Sequence, residues 1–235
     1  MAVVAGEMST MNVSKGRRTL WRWLAVACLI VVLGASVSGV RGQNGNIEMS
    51  PVSGDADNPR RHFRLRNPAE LSPERATELY DIVKPALLNG YTRSRLDFAE
   101  AYQSWKRFNN SPYLSMTHGN HYLNNYANDI GAAYGRFEAA AKLPVGTVIA
   151  KDSFAATSTG GILLGPLFVM EKMSEGFNYV SGDWKYTLVL PDGSVLGETN
   201  GKGSAKVKYC IDCHLAVEHQ DHLYFMPKPY RQGTQ

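Results

Sequence analysis

The chain has 235 residues, 44% hydrophobic and 10% aromatic, which suits one domain with a real core plus accessory segments. The formal charge of +4 is small and is inflated by Lys15, Arg17, Arg18 and Arg22 near the start. No basic stripe of the kind a nucleic-acid surface needs runs through the rest, which excludes that class of partner.

Residues 15–42, KGRRTLWRWLAVACLIVVLGASVSGVRG, run from a basic stretch through an apolar run (Leu24–Leu33) to small residues. That order reads as an export signal over residues 1–42, cleaved after Ser38 or Gly42, with a periplasmic destination. GRRTLW also hints at a twin-arginine signal. The alternative is an uncleaved membrane anchor, but the apolar run is about half of the roughly 20 residues that a span requires. Cys28 lies inside the run and leaves with it, so the exported chain keeps only Cys210 and Cys213. Structural cysteines outside the cytoplasm usually come as several spaced pairs. A lone pair two residues apart is there for chemistry.

Residues 43–71 are polar, with little periodicity, and read as a flexible linker before a domain over 72–235. SPERATELYDIV then starts a helix: Ser72 caps it, Pro73 suits its first turn and Glu74 its positive end. Leu79, Ile82 and Val83 are expected to form the buried stripe, and Pro85 to kink or end the helix. NHYLNNYAND reads as a strand running into a cap at Asn128 or Asp129. The following helix is expected to put Ile130, Ala133, Tyr134 and Phe137 on one face. After Pro144 the runs GTVIAKDSF, ILLGPLFVMEKM and WKYTLVL-PDG-SVLG are β-rich, with turns or bulges at Gly160, Gly161 and Pro166. A last helix over Ser204–Gln220 carries the cysteines. The expected fold is α+β: four or five strands in a mainly antiparallel sheet, flanking helices and a C-terminal haem-binding CxxCH helix.

CIDCH, residues 210–214, is the c-type haem attachment pattern. Two thiols bond the porphyrin vinyl groups, and the adjacent imidazole of His214 reaches the iron. A zinc knuckle using His219 and His222 needs a longer interval than this chain offers. A redox dithiol is expected beside a βαβ unit near the chain start. A plain disulfide leaves the histidine unexplained. Only a short tail follows His214. Met226 there reads as a tail contact, and His118, His121, Met116, Met170 and Met173 are upstream candidates for a sixth ligand, each more often packed or exposed. An open iron face, which binds small molecules, is the expectation.

Beyond the cysteines the chain resembles the cytochrome P-460 family. The resemblance rests on THGNHYLNNYAN (Thr117–Asn128), PVGTVIAKDSF (Pro144–Phe154), GDWKY (Gly182–Tyr186), and CIDCH with the following DHLYF, in the family's order. It implies a largely antiparallel fold, a homodimer and one covalently attached haem c with His214 as iron ligand. In catalytic members a lysine at the end of a GTV-x-x-K strand is also bonded to the porphyrin; Lys151 is the matching position. Such members resemble hydroxylamine-oxidising enzymes, which pass electrons to a redox partner protein. Relatives without the crosslink resemble nitric oxide- and carbon monoxide-binding cytochromes of the c′-beta type, and a simple electron carrier is a third reading.

Strand alternation puts Thr147, Ile149 and Lys151 on one face and Val148, Ala150 and Asp152 on the other. If the Ile149 face is buried, Lys151 points inward, where burial lowers its pKa and favours the nucleophilic amine. The other reading is an edge lysine reaching solvent along its stem. Glu218, four residues after His214, is the candidate proton acceptor that the resemblance implies. An unbroken helix would put it on the side of His214, so a role over the open iron face requires the chain to turn first. No arginine or other cation aligns over the iron.

Overall fold

The computed structural model describes residues 47–49 and 64–233. The expected export signal and most of the expected linker lie outside them. Among the described residues, nine strands join in one sheet: β1 (Ile47–Met49), β2 (Lys106–Arg107), β3 (Tyr113–Ser115), β4 (His121–Ala127), β5 (Val148–Ala156), β6 (Ile162–Leu164), β7 (Leu167–Lys172), β8 (Trp184–Val189) and β9 (Val195–Glu198). Every pairing is antiparallel except that of β1 with β6. The architecture is α+β and mainly antiparallel.

β5 is the spine of the sheet. It pairs with β4 on one edge, and with β7 and then β6 on the other. The apolar run ILLGPLFVMEKM is therefore two strands, parted at Gly165–Pro166. A side chain at Gly165 would overlap Ser153 Oγ and crowd His121 Nδ1, so the backbone passes close only because it has none. The extra strands β2 and β3 span two and three residues, too short for any alternation to be read. Residues 64–71, the end of the expected linker, lie on the sheet. Ala69 N donates to Ala156 O (2.7 Å), and Tyr122 OH accepts from Leu71 N (2.6 Å) while donating to Ala69 O (2.9 Å).

Helix α1 (Pro73–Tyr91), which the short α2 (Asp97–Ala101) follows, starts as expected, with Ser72 Oγ accepting from Arg75 N at 3.2 Å, but it runs through Pro85. Pro85 stands on the exposed side, so the missing donor and the displaced carbonyl meet water. Burying Leu79, Val83 and Leu87 contributes about 1.5–3 kcal/mol each, which outweighs the ~3 kcal/mol that an interior proline costs. Ile82 is 58% exposed, against expectation, and the stripe turns through Tyr80 instead. Tyr80 is buried because its hydroxyl has a partner in Asp152 Oδ2 at 2.6 Å.

Residues Asp129–Ala139 wind as a 3-10 helix capped by Asn128, whose side chain accepts from Gly131 N (3.1 Å). With three residues per turn, Gly131 and Tyr134 share the buried face, and Ile130 is 53% exposed rather than buried; the winding breaks at Phe137 (φ 53, ψ −128), which is buried as well. No helix of the described residues is long and apolar enough to cross a membrane.

Both faces of β5 are covered. Ala150 and Phe154 pack with Leu79, Tyr80, Val83 and Leu87 of α1. Asp152, on the same face, is buried among Tyr80, Tyr102 and Asn124, whose side chains donate to it. Ile149, on the other face, packs with Tyr134, Met170, Trp184, Leu223 and Met226, under a roof made by residues 129–143 and the C-terminal segment. That roof carries the cysteine motif.

Candidate functional site

Helix α3 (Lys208–His214) holds the cysteine motif on a single short run. Val207, 1% exposed, anchors its start against Leu188 and Leu190. Cys210 and Cys213 stand three positions apart and so face the same way; both thiols are unbonded. Burial pushes the Cys210 thiol up to about 12, the reverse of what a reactive dithiol needs. Among the described residues no three His, Cys, Asp or Glu side chains gather closely enough to hold a metal ion, so the two cysteines do not converge with His219 and His222.

His214 is buried, and its Nδ1 lies 2.6 Å from the carbonyl oxygen of His222. A carbonyl only accepts, so the proton sits on Nδ1 and the lone pair on Nε2, which makes no hydrogen bond. This is the arrangement that presents an imidazole to a metal. Burial, with the positive field of Lys151 second, lowers its pKa to about 3 and keeps the ring neutral. The rings of Tyr186 and Tyr224 flank it at 5.2 Å each.

The expected helix over Ser204–Gln220 is three pieces: a 3-10 turn (Ser204–Val207), α3, and a second 3-10 run (Leu215–Gln220) broken at Val217 (φ −123, ψ 34). The break turns the chain, and Glu218 comes out exposed in a surface depression with Phe137, Lys142, His219 and His222. It does not share the buried face of His214 and Lys151.

Lys151 does. It sits on β5 between Asn125 of β4 and Phe168 of β7, its side chain on the Ile149 face. It is 5% exposed and makes no hydrogen bond or ion pair with another described residue. Burial alone lowers its pKa to about 8. Asn125 is held by Tyr113 OH, which donates to its Oδ1 (2.9 Å), and by Tyr134 OH, which accepts from its Nδ2 (2.8 Å). The edge-lysine reading is thereby displaced: β5 is the centre of the sheet, not its rim.

Of the upstream sixth-ligand candidates, the fold brings two histidines to this side, His118 and His121, the latter sharing a face of β4 with Asn125. His118 packs edge-on to Phe168 (4.9 Å), with Nδ1 near Ser115 Oγ (3.0 Å) and Thr117 Oγ1 (3.3 Å). Burial, then the charges of Lys151 and His214, hold it well below the ordinary histidine range. His121 is buried beside Ser153 (3.3 Å), Met116 is 75% exposed, and Met170 and Met226 are core residues. Sequence reasoning missed Asn125, Tyr186, and the set Lys172, Trp184 and Asp221 behind His214. Trp184, Tyr186 and Asp221 fall inside the recognised motifs GDWKY and DHLYF, but no local pattern announces that they meet.

The donors fit a c-type haem: two free thiols facing one way, an imidazole with its lone pair unengaged and its tautomer set, and a buried lysine without a counter-ion on the same side. The hydroxyl of Tyr186, buried without a partner beside His214, marks the same region as built around something polar. Matched against protein-family models, residues 99–225 fit cytochrome P-460, which covers strands β2 to β9, Lys151 and the cysteine motif. No curated protein matches the chain.

Proposed function

The chain belongs to the cytochrome P-460 family of c-type haem cytochromes, and from that premise we propose that it is an exported mono-haem oxidoreductase that oxidises hydroxylamine or a related small nitrogen compound. The observation that carries this reading is the buried, unpaired Lys151 on the same side of the sheet as His214. When bound, haem c would supply an iron able to bind a small nitrogen compound and to take up its electrons.

Cys210 and Cys213 would anchor the group through their sulfurs, and His214 would hold the iron through Nε2. Lys151, with its pKa lowered to about 8, is the free amine for about a tenth of its time at pH 7, and that is the nucleophilic form; a bond to a porphyrin carbon would replace an N–H and a C–H and so would need a two-electron oxidant. Asn125 and Phe168 are its cross-strand partners on β4 and β7. His118, on the same side, is kept neutral by burial and by the charges of Lys151 and His214; that makes it a weak base, suited to hydrogen-bond a substrate rather than to take its proton. Electrons pass on to a redox partner protein, and the chain acts as a periplasmic homodimer, membrane-held only if its leader is uncleaved.

A specific observation favours a second reading. Glu218, the carboxylate that the resemblance associates with turnover, is exposed and apart from Lys151 and His214. A chain without that proton acceptor suits a non-catalytic binder of nitric oxide or carbon monoxide of the c′-beta type. The ferrous absorption spectrum with intact mass separates the two. A lysine crosslink shifts the Soret band strongly to the red, and Lys151→Ala returns it to that of an ordinary haem c. An ordinary spectrum unchanged by that substitution, together with no electron release from hydroxylamine to an artificial acceptor, leaves the gas binder. Absence of covalent haem in alkaline pyridine overturns both.

A further inference from the structure

The carbonyl that holds His214 belongs to a strained turn. Asp221 (φ 55, ψ 36) and His222 (φ 59) are consecutive non-glycine residues in the left-handed region, which L side chains adopt reluctantly. The turn closes through Asp221 N to Glu218 O and His222 N to Val217 O, both at 3.1 Å, and thereby aims the His222 carbonyl at His214 Nδ1. Strain of this kind persists only where the surroundings over-determine it.

The surroundings here are three donors from elsewhere in the chain, all directed at one residue. Asp221 Oδ1 accepts from Lys172 Nζ (2.5 Å), Oδ2 accepts from Leu143 N (2.8 Å), and its main-chain carbonyl accepts from Trp184 Nε1 (2.9 Å). Lys172 and Trp184 are cross-strand partners on β7 and β8. Lys172 also donates to Gly182 O (2.8 Å) and lies 4.8 Å over the Trp184 ring. The ion pair is sealed, its side chains 2% and 5% exposed. A buried pair of this kind adds little stability over an apolar pair of equal volume. What it does supply is direction: it bolts a strained turn to the rigid part of the sheet.

We propose that Lys172, Asp221 and Trp184 form a positioning unit that fixes the His214 Nδ1–His222 carbonyl hydrogen bond, and so sets both the orientation of the imidazole and its electron donation to iron. The unit acts through the His222 carbonyl and makes no hydrogen bond to His214 itself. A loosened turn weakens the hydrogen bond, makes the imidazole a poorer donor and lets the iron–nitrogen bond lengthen. This inference rests on the reading that His214 ligates haem iron.

The test is the iron–histidine stretching band of the ferrous haem-loaded protein, by resonance Raman, with the reduction potential alongside. Asp221→Asn removes the ion pair. Trp184→Phe keeps a ring beneath Lys172 and removes only the indole donor. Leu87→Ala, in α1 on the far face of the sheet, controls for lost stability. The expected result is a lower, broader band and a raised potential in Asp221→Asn, a smaller shift the same way in Trp184→Phe, and neither in Leu87→Ala. If Asp221→Asn fails to fold or to take haem, Trp184→Phe alone decides. An unshifted band in folded Trp184→Phe and Asp221→Asn, or an equal shift in Leu87→Ala, overturns the proposal. Absence of covalent haem from the wild-type chain overturns the underlying reading instead, so the two failures are told apart.

Discussion

Lys151 on β5 and His214 at the end of α3 are buried on the same side of the sheet, close enough that the charge of the lysine helps to hold the imidazole neutral. They stand 63 residues apart in the chain, and neither has a carboxylate partner. A cation buried without a counter-ion is costly. The chain tolerates it where the motif places its two thiols and its histidine, which gives that cost a functional explanation.

The same cost makes Lys151 visible in the stability of the haem-free protein. In the unfolded chain it holds its proton up to its ordinary value of 10.5, in the folded chain only up to about 8. Between those values the unfolded state binds more protons, so stability rises with pH across that window. Below about pH 8 the folded state carries the full penalty, about 3 kcal/mol at about 1.4 kcal/mol per pH unit. Lys151→Met is expected to stabilise the haem-free fold at pH 7 by that order and to flatten its profile from pH 8 to 10.5. Urea midpoints measured across the range check this; identical slopes in the two proteins would mean that the lysine is solvated.

His214→Ala is expected to leave haem covalently attached at Cys210 and Cys213 while removing the axial ligand. Added imidazole should then restore the wild-type absorption spectrum, because the space the ring vacates is bounded by Tyr186 and Tyr224 rather than open to solvent. Rescue that is absent at high imidazole concentration, with haem still attached, argues for another ligand.

Glu218→Gln distinguishes a working carboxylate from a surface one. Loss of a general base typically slows a reaction by about 100-fold or more. The exposed position of Glu218 predicts a change of less than about threefold in hydroxylamine-dependent reduction of an artificial acceptor. A fall of two orders of magnitude with an unaltered spectrum would show that the side chain reaches the reacting centre after all.

Asp152, one residue beyond Lys151 and on the opposite face, titrates in the other direction. Burial raises its carboxyl from 3.8 to about 6, despite hydrogen bonds from Tyr80, Asn124 and Tyr102. The folded state binds more protons between those values, so this contribution to stability is full below pH 3.8 and is lost as pH rises through about 6. Asp152→Asn is expected to remove that decline and leave the ferrous haem spectrum unchanged. Thermal melts at pH 4, 5 and 7 check the first point. A changed spectrum would show that the two faces of β5 are coupled.

The local pattern carried much of this. Alternation along TVIAKD assigned Lys151 and Asp152 to opposite faces, and the structure has them so. Ser72 and Asn128 cap where short polar side chains before an apolar run should. What misled was winding and partnership. Ile82 and Ile130 look like core residues on an α-helical wheel. Tyr80 takes the buried place of the first because Asp152 offers it a hydrogen bond, and the 3-10 pitch turns the second to solvent.

The sequence by itself determined the attachment pattern, the faces of β5, the main strands and the family, because each is written in spacing over a few residues or in short motifs in order. Only the tertiary structure decided that α3 ends at His214, that Glu218 turns outward, and that Lys172, Trp184 and Asp221 meet behind the histidine. Those are contacts between segments far apart in the chain, made by donors whose direction depends on how a strained turn packs against the sheet. No periodicity records that.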